Sequence, residues 1–544
     1  MIRSSLKYIL QVSQHFMDKI FSIIMLGSMS NMRWMNYKSI VKMIDYFDYK
    51  INHVCGKEHI NIAVVSTDVF LKSIVFLYGL FTQSRIVFIS PKFTLNEIIG
   101  NLLSTGCNIN VLITDMNIIR DIKRLEIEDD IGVLNFIPHI LYSQEILDEL
   151  YVHVSDLPEK DINAYKSLKR LIRKSIDQLI GIKDESYFTF LSPGTDSHPS
   201  FINIYSQTLI ETALRIRYFF NFKQNTTVSI VANFESYPVL FTILGFITGI
   251  KYINVSETIY DVEEFKTTLK KNKVNIHTLF ISSNEFKKIW DYIMEKVFMR
   301  KIYFFFNKFK ITRFITNWAI QREISNTFSY VRNVHILNET LGVFALKHLG
   351  RSKIMFSSSY GFMEQGNFLA FKDPILFKHE HYYDKPGGTI LKTCSGINNA
   401  PEIGSNNSLL LQSNDMTIIP GDICSFISNI NSQGDRPYLL FHDRDIRVLD
   451  ISDTSISMLE KLLKDDIIIR DCYIVKNNNS YSFYFEVREN LLDLYGISYE
   501  SLNNTIRSSL SKLSGKINLS TIGHAIINLN GMRNTAGTIK LYIQ

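Results

Sequence analysis

Two short stretches of this chain combine residue types that could bind a phosphorylated ligand. In the first, the loop at 192–200, Ser192, Gly194 and Thr195 stand between two runs whose apolar residues predict strands. Small residues between two strands can direct backbone N–H groups and hydroxyls towards one anion. The same composition is also typical of an ordinary hairpin loop, so the loop alone leaves both interpretations open.

The second stretch, at 357–365, follows a predicted strand and carries an aromatic residue, a glycine and a carboxylate: Tyr360, Gly361 and Glu364. Carboxylate oxygens are the ligands that hard cations such as Mg²⁺ prefer. Asp422 has its carboxylate beside a glycine, an arrangement that suits the two hydroxyls of a ribose. The competing interpretations are a strand-to-helix loop with a buried tyrosine and a plain Pro-Gly-Asp turn.

In their order along the chain, these stretches resemble motifs of the acyl-adenylate-forming enzymes. That family includes acyl-CoA synthetases, peptide-synthetase adenylation domains and luciferases. The loop at 192–200 is similar to the phosphate-loop pattern T-S-G-T-T-G-x-P-K, but Ser200 replaces its lysine. The stretch at 357–365 resembles Y-G-x-T-E, with Met363 in place of the threonine. The terminus at 532–540 resembles P-R-T-x-x-G-K, with Thr538 in place of the lysine.

The resemblance also implies roles for single residues. The implied cofactor-binding residues are Ser192, Gly194, Thr195, Tyr360, Gly361, Asp422 and Arg447. Among these, Tyr360 would stack on adenine and Asp422 would hold the ribose, while Arg447 matches a position in the hinge motif. The implied catalytic residues are Thr195, Glu364 and Lys540. Glu364 would hold Mg²⁺ against the phosphates, and Lys540, two residues beyond the motif position, could serve only if the loop were rebuilt.

The implied activity is a two-step ligation. A carboxylic acid attacks the α-phosphate of ATP, and the acyl group then passes to a thiol of CoA or of the phosphopantetheine on a carrier protein. Fatty-acid or secondary metabolism would be the setting. Because each lost electrostatic donor typically costs about 3 kcal/mol of transition-state stabilisation, the missing lysines favour a second hypothesis. In that hypothesis the chain is an inactive homologue that binds nucleotide or acyl-adenylate, or scaffolds a partner.

The order of predicted elements indicates the fold class. Strands and helices alternate between residues 37 and 336, a pattern typical of a largely parallel sheet covered by helices. At 544 residues the chain is too long for one core. We expect an α/β protein with a large N-terminal AMP-binding-type domain of mostly parallel sheets at 1–443. A small, mobile α+β domain is expected at 444–544.

Composition restricts the partners and the location. The net charge of +6 is spread thinly, and five separated cysteines form no C-x-x-C pair, so we expect a cytoplasmic protein. Polar residues interrupt the N-terminal stretch at 1–29, which predicts an amphipathic helix rather than a signal peptide. The basic and aromatic stretch at 299–321 predicts a helix packed on its domain or, alternatively, a peripheral membrane contact. No nucleic-acid partner is expected, because no binding fold accompanies this stretch.

Overall fold

The described part of the chain forms two compact units. The structure, a computed structural model, describes residues 20–25, 32–56, 60–82, 84–91, 93–104, 109–129, 137–155, 187–191, 201–223, 226–231, 240–245, 249–254, 261–271, 275–298, 310–337, 341, 343–361, 370–372, 382–383, 390–394, 407–412, 417–418, 422–427, 438–444, 469–477, 480–488, 492, 496, 498, 500, 501, 504 and 522–526. Described residues up to Asn254 form the first unit, and those from Asp261 onward form the second.

The first unit alternates strands and helices. Its strands are β1 (Ile20–Met25), β2 (Met32–Asn36), β3 (Asn61–Val65), β4 (Arg85–Phe88), β5 (Val111–Thr114), β6 (His139–Tyr142), β7 (Tyr187–Leu191), β8 (Phe201–Tyr205), β9 (Thr227–Val231) and β10 (Lys251–Asn254). Its helices are α1 (Tyr37–Cys55), α2 (Val69–Thr82), α3 (Leu95–Ser104), α4 (Met116–Asp129), α5 (Ser143–Ser155) and α6 (Ser206–Phe220).

Parallel pairing dominates this unit. One sheet has the strand order β6-β5-β3-β4-β7-β8, in which only the β7–β8 pair is antiparallel. In a second group, β9, β10 and β1 are parallel neighbours, and β2 pairs with β1 antiparallel. The inner strands of the first sheet are buried, apolar runs such as Ile62–Val65, because helices cover a parallel sheet on both faces, whereas the edge strands β6 and β8 are mostly half-buried.

Local signals explain where the helices begin and end. Asn36 caps α1 by accepting a hydrogen bond from the Ser39 amide at 2.8 Å, and Gly56 ends that helix with a φ of 58°. At α3, Thr94 and Glu97 form a capping box, in which the Thr94 amide donates to Glu97 Oε2 at 2.8 Å. Thr94 therefore occupies the N-cap position, for which threonine followed three residues later by glutamate is the sequence signal.

The second unit contains the remaining elements. Its helices are α7 (Val262–Lys271), α8 (Ser283–Phe298), α9 (Lys310–Thr327) and α10 (Val343–Leu349). Its strands are β11 (Ile276–Ser282), β12 (Val331–Leu337), β13 (Met355–Tyr360), β14 (Ala370–Lys372), β15 (Tyr382–Tyr383), β16 (Ile390–Cys394), β17 (Asn407–Gln412), β18 (Thr417–Ile418), β19 (Asp422–Ile427), β20 (Tyr438–Arg444), β21 (Ile469–Asn477), β22 (Ser480–Val487) and β23 (Ile522–Ile526).

Three groups of strands organise this unit. Strands β11, β12 and β13 are parallel, and β14 pairs with β13 antiparallel. A six-stranded antiparallel sheet has the order β15-β20-β19-β17-β16, with β18 paired to β17. In the C-terminal sheet, β21 and β22 form an antiparallel pair and β23 runs parallel to β22.

The N-terminal prediction is wrong where the structure tests it. Residues 20–25 form strand β1 and not part of an amphipathic helix. The sequence of β1, IFSIIM, is rich in β-branched and aromatic residues, and two partner strands satisfy its backbone hydrogen bonds. Pairing with distant strands therefore overrides the helical spacing of the flanking residues. Residues 1–19 and 26–29 lie outside the described residues.

Helix α9 accounts for the described half of the basic and aromatic stretch. Ile320 and Ile324 are fully buried, whereas Trp318 is 54% exposed with the Arg322 guanidinium 5.3 Å from its ring. The C-terminal half of the helix thus packs one face on its unit, and the packing of the basic and aromatic side chains of the stretch stays a prediction. A membrane contact remains a prediction, and residues 299–309 lie outside the described residues. None of the helices in the described ranges is both long and apolar enough to cross a bilayer.

Candidate functional site

The predicted phosphate loop connects two paired strands. Strands β7 and β8 are antiparallel neighbours, with Leu191 opposite Phe201. Thr189 Oγ1 donates to Asn203 Oδ1 at 2.7 Å across this pair. Because β7 is parallel to β4, β7 ends at the edge of the sheet formed by carboxyl ends of parallel strands. The flanking strands are confirmed, whereas Ser192, Gly194 and Thr195 lie outside the described residues.

Polar groups that the sequence analysis missed lie at the same sheet edge. Asp115, which follows β5, accepts hydrogen bonds from Ser66 Oγ at 2.7 Å, from the Thr67 amide at 2.9 Å and from Thr67 Oγ1 at 2.8 Å. Burial favours a raised pKa for Asp115, but hydrogen bonds from the surrounding hydroxyl and amide groups outweigh burial and lower the pKa. The carboxylate therefore fixes the turn between β3 and α2.

The predicted adenine-binding position lies at the end of a parallel strand. The predicted strand ends before the stretch at 357–365, but β13 continues to Tyr360, which is paired with Ala370 of β14. Gly361 is buried and begins the connection to β14. Ligand sites of open α/β sheets lie at such carboxyl ends. Glu364 belongs to the same connection but lies outside the described residues.

Asp422 is the first residue of β19. It lies directly opposite Arg444, the last residue of β20, in an antiparallel pair. The residue is therefore at a strand end and not within a turn, although the preceding Pro420 and Gly421 lie outside the described residues. A strand end holds the backbone of Asp422 in one place, as a ribose ligand requires.

Polar side chains also occupy the interior beside β13. His335 of β12 is fully buried, and its Nδ1 lies 2.8 Å from Ser357 Oγ. Burial lowers the pKa of His335 to about 3, so the imidazole is neutral near pH 7. Ser358 and Ser359 are also fully buried. The run of three serines before Tyr360 is the sequence signal that could have identified this region.

The remaining predicted site residues cannot be placed. Arg447 and Lys540 lie outside the described residues, as do the substituted motif positions Ser200, Met363 and Thr538. Within the described ranges, no group of three or more His, Cys, Asp or Glu side chains could hold a metal ion. The predicted Mg²⁺ ligand, Glu364, lies outside these ranges.

Comparison with known proteins identifies the fold. No family model and no curated protein sequence matches the chain. Among solved structures, the anthranilate CoA ligase AuaEII in complex with anthranoyl-AMP matches with a TM-score of 0.68 and 12% identity, over 98% of this chain and 95% of that one. A benzoate CoA ligase from Burkholderia xenovorans LB400 matches with a TM-score of 0.68 and 11% identity, over 98% of both chains.

A third match is the O-succinylbenzoate CoA synthetase MenE from Bacillus subtilis, in complex with ATP and a magnesium ion. Its TM-score is 0.63 at 9% identity, and 98% of each chain is covered. The chain therefore has the fold of the AMP-binding, adenylate-forming ligases over nearly its whole length. This agreement confirms the predicted fold class and, at the level of fold, the resemblance that the motifs indicate.

Proposed function

We propose that this protein is a divergent AMP-forming acyl- or aryl-acid ligase that uses ATP and Mg²⁺. The observation that supports this proposal most strongly is the combination of fold and motif order. Solved structures that share the fold over 98% of the chain carry anthranoyl-AMP or ATP and magnesium. The motif residues of this chain follow one another in the order of the family pattern.

Each motif has a proposed task in binding the nucleotide. Ser192, Gly194 and Thr195 contact the phosphates, since a loop of small residues can direct N–H groups and hydroxyls at an anion. Glu364 binds Mg²⁺, which supplies positive charge next to the phosphates. Tyr360, Gly361, Asp422 and Arg447 complete the cofactor-binding set, whereas Lys540 has a catalytic role.

Two substitutions indicate that adenylation is slower than in relatives with the full motifs. Ser200 and Thr538 stand where the family pattern has lysines. Charge builds up at the α-phosphate during attack, and loss of one electrostatic donor typically lowers the rate by about 10²–10³. Lys540 is the nearest cation in sequence to the second lost lysine, and we assign the catalytic contact to it.

The proposed second step transfers the acyl group to a thiol. CoA is one acceptor, and the phosphopantetheine of a carrier protein is the other; one structure with this fold is McyG A-PCP complexed with phenylalanyl-adenylate. We propose that residues 444–544 form a mobile domain that changes orientation between the steps, a motion that breaks the ion pair between Arg488 and Asp291 of α8. A cytoplasmic location agrees with the separated cysteines and remains a proposal.

The loss of both lysines supports a second candidate function. In this alternative, the chain binds nucleotide or acyl-adenylate without catalysis, or scaffolds a partner. Such a protein needs the residues that hold adenine, ribose and Mg²⁺, but not the cations that stabilise the transition state. The two candidates therefore differ in catalysis and not in nucleotide binding.

ATP–pyrophosphate exchange with a panel of fatty, aryl and amino acids separates the two candidates. We expect exchange above background with at least one acid, and its loss in Glu364→Ala. ATP binding by the wild-type protein without exchange for any acid would support the non-catalytic alternative. Glu264→Ala, at an exposed position of α7, serves as the control and should retain exchange.

A further inference from the structure

A buried ion pair joins the C-terminal sheet to a helix that lies far away in sequence. Arg488 directly follows the last residue of β22, and its Nη2 lies 2.6 Å from Oδ1 of Asp291 in α8, 197 positions earlier in the chain. Each side chain is only 7% exposed, so both charges are largely removed from water. The pair is therefore unlike a surface ion pair, which solvent and salt would weaken.

The pair lies at one end of the C-terminal sheet. Ile469 and Val487 are opposite each other at this end of the antiparallel pair of β21 and β22, and both are buried. Arg488 Nη1 donates to the Ile469 carbonyl at 3.0 Å, so the guanidinium is fixed to β21 as well as to β22. A change in the orientation of residues 444–544 would move this sheet end away from α8 and would have to separate the pair.

The other described ion pairs of α8 lead elsewhere. Lys288 pairs with Glu285 at 2.8 Å within the helix, and Lys296 lies 3.7 Å from Glu323 of α9. These contacts join helices of one layer and can persist while the C-terminal sheet moves. The pair of Arg488 and Asp291 instead connects that layer to the segment that we propose to be mobile.

A buried ion pair resists small displacements more strongly than an apolar contact does. A small separation removes Coulomb attraction while Arg488 and Asp291 are both still out of water. Only complete separation gives both charges their hydration back. Intermediate positions are therefore the least stable ones, and the stable arrangements are a docked and a fully separated one.

We propose that Arg488 and Asp291 form a latch, which holds the C-terminal sheet in one orientation against α8 and opens only by complete separation of the pair. This inference rests on the proposed mobile domain at 444–544, but not on the identity of the acid or on catalysis. The latch makes the change of orientation all-or-none. Both are positioning residues, and neither is assigned a contact with the nucleotide.

Pulsed electron spin resonance between two labels tests the latch without any substrate. Spin-labelled noncanonical residues at Asn326 of α9 and at Glu500, both exposed positions, report where the C-terminal segment lies relative to the helices. The wild type should give one narrow distance distribution. Asp291→Asn leaves Arg488 buried without its counter-ion in the docked arrangement, so a second distance should appear, and the ratio of displaced to docked protein should rise by about 10²–10³-fold.

Two controls separate a latch from a contact that merely keeps the sheet folded. Glu264→Gln, at an exposed position of α7, should retain the wild-type distance distribution. Amide hydrogen exchange in β22, the central strand of its sheet, should be equally slow in Asp291→Asn and the wild type, since only the orientation changes.

Three results would overturn the inference. They are a single, unchanged distance in Asp291→Asn, a wild type that already shows the two distances in the proportion of the variant, and a displaced signal accompanied by fast exchange throughout β22. The last result would make the pair a folding contact. ATP–pyrophosphate exchange is measured separately, and its absence for every acid would contradict ligase activity without bearing on the latch.

Discussion

At the scale of single residues, buried polar groups define the local structure of both units. Asp115 holds the turn after β3 through three hydrogen bonds, and His335 pairs with Ser357 inside the second unit. Neither contact follows from local sequence pattern, because the partners are 22 to 49 positions apart along the chain. Such groups make stability depend on pH and on single substitutions.

Asp115→Ala should destabilise the protein by about 1–3 kcal/mol. The substitution leaves the Ser66 hydroxyl and the Thr67 amide without their acceptor, and an unsatisfied donor costs about that much. Urea denaturation of the wild type and the variant at pH 7 measures the difference. Asp121→Ala, at an exposed position of α4, is the control and should change stability by less than about 0.5 kcal/mol.

The neutral state of His335 predicts a loss of stability in mild acid. Its folded pKa of about 3 lies below the ordinary value of 6.5, so the unfolded chain takes up the proton first as the pH falls. From pH 7 to pH 5, this residue should lower the free energy of unfolding by about 2 kcal/mol.

Denaturation of His335→Gln at pH 7 and at pH 5 tests whether His335 causes the acid sensitivity. The variant cannot take up the proton, so its stability should fall by about 2 kcal/mol less than that of the wild type. His53→Gln, at an exposed position of α1, should keep the full dependence. Equal pH dependence in His335→Gln and the wild type would show that another group is responsible.

At the scale of elements, close packing of α2 on the first sheet limits which residues the helix can carry. A Cβ added to Gly79 would lie 2.5 Å from Ile86 Cγ1 and 3.2 Å from Phe188 Cε1. Gly79→Ala should therefore destabilise the protein by about 1–3 kcal/mol, although alanine is the better helix former. Thermal and urea denaturation measure the change.

Gly100 of α3 is the matched control for this packing argument. No atom lies within 4 Å of a Cβ built there, so Gly100→Ala should stabilise the protein by up to about 1 kcal/mol through helix propensity alone. The two glycine substitutions thus have opposite predicted signs. Stabilisation of both variants would contradict close packing at Gly79.

The elements also show how far the sequence can be interpreted. Most strands and several helices from α1 to β13 are predicted because each has its own apolar period and turn signals, but α4, α5, β6, α8 and α10 are not. Strand β1 and the sheet from β15 to β20 are not predicted, since their stability depends on pairing with distant strands. At the candidate site, the structure describes the strand ends at Tyr360 and Asp422. The order of the motifs along the sequence does not reveal buried hydrogen-bond partners such as His335 and Ser357.

At the scale of the whole molecule, a buried ion pair attaches the C-terminal sheet to the helical layer of the second unit. Arg488 Nη2 lies 2.6 Å from Asp291 Oδ1 of α8, and both side chains are 7% exposed. Arg488 Nη1 also donates to the Ile469 carbonyl at 3.0 Å, at the start of β21. One guanidinium therefore joins the two strand ends of the C-terminal sheet to α8.

Asp291→Ala should destabilise the second unit by about 3–5 kcal/mol, because the Arg488 charge would remain buried without its counter-ion. Replacing both partners, as in Asp291→Leu with Arg488→Met, should cost less than the single change. Urea denaturation of the two variants measures this order. A double variant as unstable as Asp291→Ala would contradict the ion-pair interpretation.

The central claim is that the separate motifs of this chain bind one adenine nucleotide. Calorimetric titration with ATP in the presence of Mg²⁺ is the most direct test of this claim. Asp422→Asn should raise the Kd for ATP by about 10-fold or more, since a hydrogen bond to a charged group contributes about 1.5–3 kcal/mol. Asp443→Asn, in the neighbouring strand β20, should leave the Kd unchanged. Failure of the wild type to bind ATP, or an equal Kd for the wild type and Asp422→Asn, would contradict the account.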